Sequence, residues 1–238
     1  MALPEVVSRE EWLDARMRLL ALEKEQTRAR SALNAQRRQM PMVKVAKTYT
    51  FDSPDGAVTL GDMFGGHSQL IVQHIMFGMD WEKACPGCTA AGDVISEPLL
   101  AQIRSRDTAL AFVSIAPLAK LQAYKAARGW TVPWYSSAGS DFNHDFGVTV
   151  DASQVYYNYK DLSDKLDDGE SDEMPGYSCF LRDGGEIFHT YSVYARGAEL
   201  LIPAYAWLDM TAFGRSEDWE EPSGRARITH GADPTFTD

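Results

Sequence analysis

Apolar residues recur along this chain with two different periods, and the change from one to the other separates a helical lead-in from a sheet-forming body. Between Ser8 and Gln39, Leu13, Met17 and Leu20 fall four and three residues apart, with Glu, Lys, Arg and Gln at most other positions. That spacing is a single stripe on a long polar helix. Ser8-Arg-Glu-Glu11 is a capping-box pattern that starts it, and Pro41 ends it. From Tyr49 onward the period shortens. Two apolar pieces flank Pro54-Asp-Gly56, a hairpin signal, and Leu70-Ile-Val-Gln-His-Ile-Met-Phe77 predicts a strand. Thr89–Arg104 reads as a helix that Pro98 kinks or divides. Thr108–Ile115 is nearly all apolar, as a buried parallel strand should be. Leu118–Arg128 is a helix stopped by Gly129, and Trp130–Tyr135 is a short extended segment. This β-α-β-α-β alternation implies a mostly parallel sheet with helices on its faces. Further on, Tyr177–Leu181 and Glu186–Val193 flank Arg182-Asp-Gly-Gly185, a β-hairpin by its turn chemistry.

With 238 residues, 45% of them hydrophobic, the chain can bury a sizeable core in one large domain with extensions. No run reaches membrane-spanning length, and the first residues lack the basic start and apolar stretch of a signal peptide, so we expect a cytoplasmic protein without a membrane partner. The net charge of −11 argues against nucleic acid as a partner. The charge is uneven: residues 1–47 carry ten Lys or Arg against six Asp or Glu, a net of +4, which leaves −15 for the remainder. Such asymmetry suits a basic arm docking on an acidic body, its own or a partner's, including a homodimer formed through the N-terminal helix; a solvated charged helix is the alternative. Arg37 and Arg38 fit that docking more simply than they fit a clamp for an anionic substrate. Asp161–Glu173, with seven acids and one base, reads as a surface loop inserted between the two halves.

Chemistry concentrates at Cys85-Pro86-Gly87-Cys88, which follows the predicted strand and precedes a predicted helix. Peptide N–H groups at a helix start favour a thiolate over a thiol, and two intervening residues let the second sulfur close on the first. That arrangement supports thiol–disulfide exchange, with Cys85 attacking and Cys88 resolving the mixed disulfide. Pro86 shapes the turn, and Trp81 offers an apolar rim for a substrate or belongs to the core. His144 and Asp145 are candidates for a proton relay or for metal ligation, against a plain loop pair. Cys179 lies in an apolar strand and reads as a buried, unreactive thiol. A structural zinc site needs four ligands, and the five histidines at positions 67, 74, 144, 189 and 230 are scattered. Copper or zinc held by the two cysteines is the second reading of the motif, and a redox-inert interaction module is the third.

Several spaced motifs occur in one order: Glu23-Lys-Glu25-x-Thr27-Arg28, Arg37-Arg38-x-Met-Pro41-Met-Val43, His74-x-Met-Phe77, Cys85-Pro-Gly-Cys88, Gly129-Trp130, Ser140-Asp-Phe-Asn-His-Asp-Phe146 and Thr190-Tyr-Ser-x-Tyr-Ala-Arg-Gly197. Together, over roughly residues 5–215, they resemble a bacterial domain-of-unknown-function family described as predicted dithiol–disulfide oxidoreductases. The layout also resembles the peroxiredoxin and thioredoxin superfamily, which implies an α/β thioredoxin-like fold, a central mixed sheet flanked by helices. That resemblance makes Pro175 the candidate for the cis proline that faces the sulfurs in such proteins, with an ordinary loop proline as the alternative. Peroxidatic members carry Thr or Ser three residues before their cysteine, and this chain has Glu82 there. We therefore expect an N-terminal helical extension (1–47), a thioredoxin-like domain (48–215) with the acidic insertion at 161–173, and a polar tail (216–238). The expected activity is exchange with a protein or small-molecule disulfide. No organic cofactor or metal is implied, because the dithiol carries two electrons itself, and an external reductant must recycle it.

Overall fold

A capping box, a proline or a left-handed glycine marks several of the element boundaries in this chain. The computed structural model describes residues 3–163 and 172–222. The chain divides into two compact units, residues 42–203 and a second unit combining the segments before and after them. In the second unit, α1 (Arg9–Arg37) opens on the predicted capping box: the Ser8 hydroxyl accepts from the Glu11 N–H at 3.2 Å, and the Ser8 N–H donates back to the Glu11 carboxylate at 2.9 Å.

The larger unit begins with β1 (Val43–Lys44), which pairs antiparallel with the last strand of the sheet. The sequence assigned these residues to the extension; two residues of edge pairing leave no periodicity to detect. The predicted hairpin follows as β2 (Thr50–Ser53) and β3 (Gly56–Thr59), then β4 (Gln69–His74). The strand stops short of the expected Phe77 because the chain turns there, and the Met76 carbonyl accepts the Cys85 N–H at 2.9 Å. The expected 89–104 helix is two: α2 (Pro86–Asp93) and α3 (Glu97–Arg104). The break precedes Pro98, which sits in the first turn of α3, where a missing N–H costs nothing. β5 (Thr108–Ser114) and α4 (Leu118–Arg128) match expectation, with Gly129 in the left-handed conformation that ends α4. β6 (Trp134–Ser136), α5 (Phe142–Asp145) and the short strands β7 (Thr149–Val150), β8 (Tyr156–Tyr157), β9 (Lys160–Asp161) and β10 (Asp172–Glu173) lead to the long hairpin β11 (Gly176–Asp183) and β12 (Glu186–Tyr194). The described ends of the acidic segment are therefore paired strands rather than loop, β9 with β8 and β10 with β7, and Glu173 is buried. Residues 164–171 of that segment, and 223–238 of the expected tail, lie outside the described residues. The last helix among the described residues is α6 (Pro203–Leu208), and no described helix is long and apolar enough to cross a membrane.

The main sheet has eight strands in the order β1-β12-β11-β4-β5-β6-β2-β3. Parallel pairing is confined to β4, β5 and β6, and every other junction is antiparallel. The result is a mixed α/β sheet, less parallel than the β-α-β pattern alone implied. One core, built on Phe51, Phe64, Leu70, Val72, Phe142 and Phe180, fills one face. The second core packs Leu100 of α3, Leu121 of α4 and Cys88 of α2 against Phe77, Phe112 and Trp134. Side chains also cross-link strands near the first core. His74 Nε2 lies 2.9 Å from Ser178 Oγ, Ser178 Oγ lies 2.9 Å from Ser192 Oγ, and Ser192 Oγ lies 2.8 Å from His189 Nε2. Burial among Phe142 and Phe146 pushes the His74 imidazole down to about 3, so the ring is neutral.

Candidate active site

Cys85 is the N-cap residue of α2, and Pro86 occupies the first turn, where its fixed φ suits a helix start. The backbone holds this corner from both sides: the Cys85 N–H donates to Met76 O, and the Thr89 N–H donates to Cys85 O at 2.9 Å. The Thr89 hydroxyl donates to the same carbonyl at 2.9 Å and lies 2.9 Å from the Tyr124 hydroxyl. Both thiols are free, Cys85 half-buried and Cys88 only 6% exposed. A Cβ on Gly87 would lie 3.8 Å from Cys85 Sγ, so a larger residue there would extend beside the reactive sulfur.

Electrostatics separate the two sulfurs. The Cys88 thiol donates to Cys85, and the N–H groups of Cys88 and Gly87 add to it, outweighing burial and bringing the Cys85 thiol down to about 6. Cys88 moves up, because its proton is held by the Cys85 sulfur, because it is buried and because of the adjacent charge; the Met76 backbone opposes this weakly. At neutral pH the pair is one thiolate and one thiol sharing a proton.

A groove of about 480 Å³ runs along one side of α2 beside Cys85, lined by Trp81, Lys83, Pro86, Thr89 and Tyr124, and reaches Asp93. Of the residues singled out in the sequence, Cys85, Cys88, Trp81 and Pro86 therefore come together. Pro175 immediately precedes β11; its peptide bond is trans, and its carbonyl accepts from the Tyr157 hydroxyl at 2.7 Å. His144 and Asp145 are not brought to the sulfurs. His144 Nε2 faces Asp151 Oδ2 at 3.7 Å, while Asp145 accepts from Lys47 at 2.8 Å and from Tyr49 at 2.7 Å. Their neighbours Phe142 and Phe146 belong to the first core, whereas both cysteines pack with the second. Among the described residues, no group of three or more His, Cys, Asp or Glu converges as a metal site would require.

Three tyrosines escaped the sequence reading. Tyr124 lines the groove, and Tyr157 and Tyr177 lie near Cys88, with burial raising both hydroxyls. Strand alternation puts Tyr177 on the face opposite Ser178 and Phe180, a signal that was available. Nothing local marks Tyr124 or Tyr157.

The family model described as "Bacterial protein of unknown function (DUF899)" matches residues 1–230. No curated protein matches the sequence significantly. Among solved structures, a cysteine-to-serine mutant of PrxQ from Xylella fastidiosa is similar at 15% identity and TM-score 0.44, over 71% of this chain and 95% of that one. The peroxidoxin BcpB from Mycobacterium tuberculosis is similar at 13% identity and TM-score 0.47, over 69% and 93%. A cysteine-to-serine mutant of peroxiredoxin 6 from Arenicola marina is similar at 14% identity and TM-score 0.46, over 71% and 74%.

Proposed function

We propose that this chain, which belongs to the DUF899 family of bacterial proteins of unknown function, is a cytoplasmic thiol–disulfide oxidoreductase whose working couple is Cys85 and Cys88. The observation that carries the reading is the split between the two sulfurs: a half-buried thiolate at a helix start beside a buried thiol three residues on. Topology supports a thioredoxin-like unit around it. The order β12-β11-β4-β5, with β4 and β5 parallel and β11 and β12 an antiparallel hairpin, places the motif after the carboxyl end of β4.

In the reducing direction, the Cys85 thiolate attacks one sulfur of a substrate disulfide, forming a mixed disulfide and releasing the other half as a thiolate. The negative charge leaves Cys85 at that moment. The charge and the hydrogen bond that held the Cys88 proton are lost together, so Cys88 can deprotonate toward the departing thiolate. Cys88 then attacks Cys85 Sγ and releases the second half of the substrate. Two electrons pass from the dithiol to the substrate, and an external thiol reductant restores the pair.

The test is a redox titration. Purified protein is equilibrated across a dithiothreitol or glutathione series, free thiols are trapped with a maleimide, and the mass shift is read at each cysteine. One cooperative two-electron transition at Cys85 and Cys88 is expected. Failure to form that disulfide in oxidising buffer overturns the proposal.

A further inference from the structure

The segment 75–84, between β4 and Cys85, is turns and bends with no regular element. Its ends are held by main chain: Ile75 N–H donates to Val113 O, Ala116 N–H to Phe77 O and Cys85 N–H to Met76 O, each at 2.9 Å. Its middle, which carries Trp81, is held by a side chain from α4. Lys120 Nζ donates to Met79 O at 2.6 Å and to Trp81 O at 3.1 Å. Both are charge-assisted bonds from a half-buried ammonium. The Trp81 ring in turn packs against Gly78, where a Cβ would come within 2.8 Å of the indole nitrogen. Lys120 and Gly78 thus fix one wall of the groove beside Cys85. One turn further along α4, Tyr124 lines the same groove and meets Thr89.

We infer that Lys120 is a positioning residue that sets the groove for polypeptide disulfides, a reading that rests on the redox function proposed above. The groove continues away from Cys85 past Pro86, Thr89 and Ala90 to Asp93, a helical distance of about 12 Å at 1.5 Å per residue. A small disulfide touches the sulfur and leaves this space empty. A polypeptide with an apolar side chain next to its cysteine fills it and packs against Trp81. Lys120 touches no reacting atom; it acts through the wall it holds.

The experiment compares wild type, Lys120→Met and Lys120→Arg in single turnovers of pre-reduced protein. The two substrates are hydroxyethyl disulfide and a synthetic peptide disulfide with leucine beside the cysteine. Lys120→Met should raise the half-saturating peptide concentration about five- to tenfold, the loss of about 1–1.4 kcal/mol of binding. The limiting rate, the rate with hydroxyethyl disulfide and the pH midpoint of Cys85 alkylation should not move. Lys120→Arg should recover most of the peptide affinity. Gly78→Ala, which displaces the ring without touching Lys120, should copy Lys120→Met and serves if that variant folds poorly. Unchanged peptide saturation in both variants, or equal losses with both substrates, overturns the inference alone. Wild type that reduces neither substrate overturns the redox reading and this inference with it.

Discussion

Replacing Cys88 by alanine tests whether a neighbouring thiol, rather than the helix start, activates Cys85. The Cys88 S–H is the largest cause lowering the Cys85 pKa to about 6, ahead of the N–H groups of Cys88 and Gly87, which the substitution leaves in place. Removing it should raise the Cys85 midpoint by about 1–2 units, since the remaining amides then oppose burial alone. For a midpoint near 7.5, the thiolate fraction at pH 7 falls from about 0.9 to about 0.25, by the ordinary titration relation. The more basic thiolate is also a better nucleophile by about fivefold, from a Brønsted coefficient of ~0.45. The two effects nearly cancel at pH 7, so a single rate there is uninformative. The assay is therefore the full pH profile of iodoacetamide alkylation at Cys85, read by mass spectrometry in a Cys179→Ser background. The midpoint should shift upward and the alkaline plateau should rise. A midpoint that stays near 6 refutes the assignment and transfers the activation to the helix start.

Cys85→Ser should abolish disulfide exchange, whereas Cys88→Ser should accumulate a mixed disulfide with substrate, visible as an adduct on a non-reducing gel; turnover by the first variant or absence of the adduct in the second contradicts the assigned roles. Glu173 gives a pH signature. Burial raises its carboxyl to about 7 despite bonds from Thr149 and Asn143, so the folded state keeps a proton that the unfolded state loses near 4.5. Stability should fall as pH rises between those values, and Glu173→Gln should flatten that slope in thermal melts from pH 4 to 8; an unchanged slope counts against it. Gly92→Ala places a methyl 2.7 Å from the buried Trp130 ring and should cost about 1–3 kcal/mol of stability in urea titration, the usual range for overpacking.

The sequence was most legible where one element carries its own signal. Apolar runs and turn chemistry located β4, β5, α4 and the β11–β12 hairpin, and Ser8 and Glu11 located the start of α1. Helix-start logic put Cys85 at an N-cap before its surroundings were known. The two-residue strands β1, β7 and β10 were not legible, because their pairing depends on partners far along the chain. For the same reason Lys120 and Tyr124 were invisible as site residues: on α4 they look like an ordinary polar and an ordinary aromatic position, and only packing turns them toward the Cys85 loop. His144 and Asp145 went the other way. Their residue types suggested chemistry, yet the fold commits them to Asp151, Lys47 and Tyr49, with aromatic neighbours in the first core rather than the second.

The string of groups from His74 through Ser178 and Ser192 to His189 has an arithmetic of its own. Three bonds need three hydrogens, and the two serine hydroxyls supply only two. One Nε2 must therefore carry a proton and the other must be bare, with both hydroxyls pointing toward the bare end. The two imidazoles cannot choose tautomers independently. Placing a proton on His189 Nε2 turns both hydroxyls around and moves the His74 proton to Nδ1, which has no partner in its buried setting. A ring lining the surface cleft beside Lys47 and Tyr159 thus reports, through two hydroxyls, on a ring sealed inside the sheet.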